Sequence, residues 1–63
     1  METRTFYFPA NRFGRDVLNY IWRHVSCSIG EIRKVADSIA VPITTVPKEI
    51  VKVERILKTY DLM

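Results

Sequence analysis

The chain is poor in the residues that carry chemistry. It holds one histidine, His24, and one cysteine, Cys27. A closed zinc site takes four ligands, so no metal is expected, and both residues read as core or boundary positions. No Ser/His/Asp set follows triad logic. With two glycines in the whole chain, there is no glycine-rich loop to cradle a phosphate. No catalytic residue, no cofactor and no small-molecule ligand is therefore expected, and the protein does not read as an enzyme. A lone cysteine excludes an internal disulfide and suits a reducing compartment. No apolar run approaches the roughly 18 residues of a membrane span. The opening Met-Glu-Thr-Arg-Thr lacks the basic and apolar regions of a signal peptide. A cytoplasmic, intracellular protein without membrane contact is the expectation.

What is present is enough for one small domain, residues 1–63. The chain has 63 residues, 48% of them hydrophobic. Chains of this length bury only about 60% of their unfolded surface, so each packing element matters. Ten Lys and Arg stand against seven Asp and Glu, a net charge of +3. That balance permits a polyanionic partner without requiring one, and the placement of the charges has to decide.

Residues 3–8, Thr-Arg-Thr-Phe-Tyr-Phe, are aromatic and β-branched and are followed by Pro9, which predicts a short N-terminal strand within an arm over residues 1–11. No partner strand is evident in the chain. The strand either pairs with its copy in a second subunit or remains a loose tail. Asn11 is a candidate cap for a first helix from Phe13 or Arg15 to His24 or Val25, with Val17, Leu18, Ile21 and Val25 as its apolar stripe. Ser28-Ile-Gly-Glu31 has the form of a capping box. Behind it Ile29, Ile32, Val35, Ala36 and Ile39 recur at helical spacing, which predicts a second helix stopped by Pro42. A third helix is expected from Thr44 or Thr45, with Pro47 in its first turn and Val46, Ile50, Val53, Leu57 and Tyr60 as its seam.

The expected fold is mainly α: a three-helix helix-turn-helix domain, winged-helix-like, with a short N-terminal strand. Ala36, Ala40, Val41 and Val46 carry the corner between helices that would cross at roughly 90–120°. On these residues the chain resembles the helix-turn-helix DNA-binding superfamily, and most closely the small winged-helix transcription regulators of bacteria, archaea and their viruses. The resemblance covers about residues 15–62. It departs from the family at Ala40, where glycine is usual, and at Pro42. The wing is either absent or replaced by the N-terminal strand.

The resemblance implies sequence-specific binding of double-stranded DNA and transcription regulation, with the third helix in the major groove. Thr44, Thr45 and Lys48 would then approach bases, while Lys52, Arg55 and Arg33 would hold phosphates and Lys34 would flank the same groove. Homodimerisation is expected, because a single module of this size buries only about 600–1,000 Å² on DNA. The alternative is a protein-interaction module, such as a viral or host-factor adaptor, for which Glu49 and Glu54 among the cations are the argument.

Overall fold

A computed structural model describes residues 1–62 and gives the order β1 (Glu2–Pro9), α1 (Arg12–His24), β2 (Ser28–Ile29), β3 (Arg33–Val35), β4 (Ser38–Thr45) and α2 (Pro47–Thr59). The four strands form one antiparallel sheet. β4 is its central strand, with β1 along one side and β2 and β3 along the other. Both helices pack on one face. Val17, Ile21 and Val25 of α1 join Ile50, Val53 and Leu57 of α2 over Phe6, Phe8, Val41 and Ile43 of the sheet.

The first helix forms where the sequence places it, whereas the last begins only at Pro47, because Thr44 and Thr45 end β4. The N-terminal strand is neither a loose tail nor without a partner, since it pairs along its length with β4. Asn11 caps α1: its side-chain oxygen accepts from the Gly14 N–H at 2.9 Å, satisfying one of the free donors of the first turn. Pro47 opens α2 after Val46, which is exposed and serves as the N-cap without a side-chain bond. At its far end α2 closes in a Schellman motif. Leu62 N–H donates to Leu57 O at 2.8 Å and Asp61 N–H to Lys58 O at 3.1 Å. Asp61 takes φ 58° there.

The middle of the chain overturns the three-helix, mainly-α expectation. No second helix exists between Ser28 and Thr45; β2, β3 and β4 occupy that stretch. The helix-turn-helix corner is therefore absent. Ala36 and Asp37 form the two-residue loop of a β3–β4 hairpin, with Ala36 at φ 54°. Ala40 and Val41 lie inside β4 rather than at a corner. Ser28 and Glu31 make no capping box, since Ser28 is a strand residue paired with Thr44. The physical reason is the spacing of β-branched residues. Ile39, Val41, Ile43 and Thr45 alternate, which puts all four on the helix-covered side of β4. Of the residues assigned to the missing helix's apolar stripe, Ile32, Val35 and Ala36 are exposed.

Backbone pairing explains both strand prolines. Ala10 N–H donates to Asp37 O at 3.0 Å, one step beyond the Pro9–Ser38 pair. Hydrogen-bonded pairs alternate along an antiparallel ladder, so even-numbered residues of β1 bond to β4 and odd-numbered ones turn their N–H and C=O outward. Pro9 is odd, and its missing N–H would have faced solvent. Pro42 turns its backbone toward β2, where its carbonyl accepts from the Gly30 N–H at 2.9 Å. Immediately beyond, Glu31 and Ile32 stand opposite Val41 alone, since Ile29 pairs with Ile43 and Arg33 with Ala40. This bulge breaks the ladder where Pro42 has no donor to give, which is how a proline is accommodated in a central strand.

Candidate nucleic-acid interface

α2 buries Ile50, Val53 and Leu57, so the opposite row points away from the sheet. That row is Lys48, Val51, Arg55 and Lys58, all exposed, at the 3-4-3 spacing of one helix face. The two glutamates of α2 do not share it. Glu49 lies on one flank and meets Lys52 Nζ at 3.2 Å. Glu54 lies on the other flank and meets Arg4 of β1 at 3.2 Å. Each carboxylate is thus engaged at the side of the helix. Lys48, Arg55 and Lys58 have no ion-pair partner among the described residues.

α1 continues this surface. Its buried row, Gly14, Val17 and Ile21, faces the sheet, leaving Arg12, Arg15 and Arg23 exposed on the outward side with Asp16 as the accompanying carboxylate. Both helices cover the same sheet face, so their outward rows form one surface on which cations outnumber carboxylates. The open sheet face is different. Register places Thr3, Thr44 and Ser28 in one row and Tyr7, Ala40 and Arg33 in another. It is mostly neutral, and Thr3 and Thr44 hydroxyls bond across it at 2.7 Å.

The sequence-derived DNA-binding set is therefore split across the molecule. Lys48 and Arg55 share the outer face of α2. Lys52, four residues from Lys48 and three from Arg55, shares that face and leans to its side to meet Glu49. Thr44 lies on the open sheet face beside Thr3. Thr45 is buried, 2% exposed, and its hydroxyl donates to Ser26 O at 2.6 Å. Arg33 is on the open face, whereas Lys34 pairs with Ile39 on the helix-facing side of the edge. Sequence reasoning missed Arg12, Arg15, Arg23 and Lys58. For Arg15, Arg23 and Lys58 the signal is their avoidance of the two helices' apolar stripes, whereas Arg12 lies before the expected start of the first helix.

Two further features border this surface. Leu18, Trp22 and Ile29, with Arg15 and Asn19, line an open groove of about 440 Å³ beside α1. Phe13, Tyr20 and Tyr60 stack edge to face between the helices, with centroids 6.1 and 6.4 Å apart, and the His24 ring lies 4.2 Å from Tyr20. Cys27 is half-buried. Its thiol pKa is raised, first by desolvation and then by the Glu49 charge, which favours an inert thiol over a reactive thiolate. No group of metal-ligating side chains occurs among the described residues, and no helix among them is long and apolar enough to cross a membrane. Comparison with family models, curated proteins and solved structures finds no match, so the geometry of the chain carries the functional argument.

Proposed function

We propose that the protein binds double-stranded DNA through the outer surface of its helical layer. The observation that carries this reading is the position of Glu49 and Glu54. Held at the flanks by Lys52 and Arg4, they leave Lys48, Arg55 and Lys58 as an acid-free row. A helix of 13 residues is about 20 Å long, and the major groove, about 12 Å wide, admits one. The cations of α2 would meet phosphates along the groove, and Arg12, Arg15 and Arg23 of α1 would extend the contact across the backbone. Most of the affinity would then be electrostatic and salt-dependent. A role in transcription regulation is the biological form of this proposal.

The test is fluorescence anisotropy of a random-sequence duplex titrated with protein at several salt concentrations. Wild-type protein should bind with micromolar affinity at low salt. Replacing Lys48, Arg55 and Lys58 together by alanine should reduce the slope of log affinity against log salt by about 2–3. An Arg33→Ala/Lys34→Ala double variant should change it far less. An unchanged slope in the triple variant would refute the proposal. Absence of duplex binding by the wild type would favour a protein partner instead, a reading supported by Trp22, 60% exposed beside its groove.

A further inference from the structure

We propose that β1 is the seam of a homodimer. Two copies pair antiparallel through their outer β1 edges about a twofold axis at Thr5, joining two sheets into one.

The outer edge of β1 is open and unprotected. Thr3, Thr5 and Tyr7 direct N–H and C=O groups away from β4, as the even-numbered ladder bonds require. Proteins usually blunt such edges with a bulge, a proline or a charge. The opposite edge of this sheet has those devices: the Glu31–Ile32 bulge and the split between β2 and β3. Between Thr3 and Tyr7 the β1 edge has neither bulge nor proline. Its one charge there, Arg4, is neutralised at 3.4 Å by Glu2 and at 3.2 Å by Glu54 of the same chain. Two copies can therefore approach without placing unpaired like charges side by side.

The edge is also complementary to itself. With Thr5 opposite Thr5 of the partner copy, Thr3 falls opposite Tyr7 and Tyr7 opposite Thr3. All three outward N–H groups then meet outward carbonyls. Pro9, which has no N–H to give, falls at the end of the ladder opposite Met1. Moving the axis by one residue along the strand brings the proline into the pairing or shortens the ladder. A second copy is thus an occupant that the edge itself specifies, and the axis stands along the sheet normal. Both helical layers then lie on the same side. The dimer rests on strand geometry and not on DNA binding, but it deepens that reading by presenting two copies of α2 to one ligand.

Sedimentation velocity without DNA tests the seam directly. At about 100 μM, wild-type protein should sediment at twice the 7.4 kDa mass of the chain. Thr5→Pro removes an outward N–H that β4 does not use and should sediment as a monomer with an unchanged circular-dichroism spectrum. A monomeric wild type would overturn the proposal. The register is tested independently in a Cys27→Ser background. Opposed residues of a hydrogen-bonded pair have Cα atoms about 5.5 Å apart, within disulfide reach. Thr5→Cys should form a cross-linked dimer on mild oxidation and Thr3→Cys should not. Cross-linking of both at equal rates, or of neither, would overturn the seam even if Thr5→Pro failed to fold. Duplex titration of the Lys48/Arg55/Lys58 alanine variant, still dimeric, reads DNA binding separately.

Discussion

The Arg4 guanidinium lies 3.2 Å from the Glu54 carboxylate, joining the edge strand to the last helix. The pair is partly exposed, so it adds at most about 1 kcal/mol to stability. Its larger effect is on where charge appears. Glu54→Gln should leave the melting temperature nearly unchanged and tighten binding of random duplex DNA at low salt. The gain should fade as salt rises and screening takes hold. Paired titrations at two salt concentrations would show it.

Gly14 sits against the backbone that leaves β1. A Cβ placed there would lie 1.9 Å from the Pro9 carbonyl oxygen. Glycine inside a helix ordinarily weakens it, and alanine would be preferred by about 1 kcal/mol. Here the sign reverses. Gly14→Ala should destabilise the protein by roughly 1–3 kcal/mol as α1 is pushed off β1, measured by urea denaturation.

Asp61 holds φ 58° in the Schellman turn, and Ala36 holds φ 54° in the hairpin loop. The left-handed region disfavours a Cβ more strongly for alanine than for aspartate. Ala36→Gly should therefore stabilise, by about 0.5–1 kcal/mol net of glycine's greater freedom when unfolded. That corresponds to a rise of several degrees in melting temperature. Asp61→Gly should have a smaller effect in the same direction.

Partial burial and the neighbouring Glu49 both disfavour the Cys27 thiolate. The folded thiol should thus react with iodoacetamide at pH 8 more slowly than the same thiol in urea. The sign for stability follows from the raised pKa: the unfolded chain loses this proton first as pH increases. The contribution of Cys27 is intact at neutral pH and is lost in the alkaline range. Glu49→Gln should speed alkylation of the folded protein by removing the second cause.

The two helices were legible because their apolar residues recur at helical spacing and nothing contradicts them. Val17, Ile21 and Val25 in one, and Ile50, Val53 and Leu57 in the other, are all buried. The last seam was read one residue too far at each end, since Val46 and Tyr60 are exposed. The middle of the chain offered two periods at once. Ile29, Ile32, Val35 and Ile39 match a helix, while Ile39, Val41, Ile43 and Thr45 match a strand. Pro42 suits the end of a helix, and a proline in the middle of a strand pattern argues against a central strand. Only the bulge opposite Val41 makes that strand admissible, and a bulge between Gly30 and Arg33 has no local sequence mark of comparable strength. The basic face of α2 was half legible. Its cations were visible, and so was the Glu49–Lys52 pair within the helix, but the engagement of Glu54 depends on Arg4, distant in sequence and adjacent only after β1 meets β4.

That meeting sets the order in which the fold can be completed. The β3–β4 hairpin closes across two residues and can form within microseconds. The β1–β4 ladder joins Glu2 to Thr45 and Pro9 to Ser38, so β1 has nothing to pair with until β4 has been made. During synthesis at about 5–20 residues per second, Thr-Arg-Thr-Phe-Tyr-Phe waits on the order of seconds with both edges free. The strand whose phenylalanines Phe6 and Phe8 line the core is thus made before its partner, and its ladder is a late, long-range step of folding.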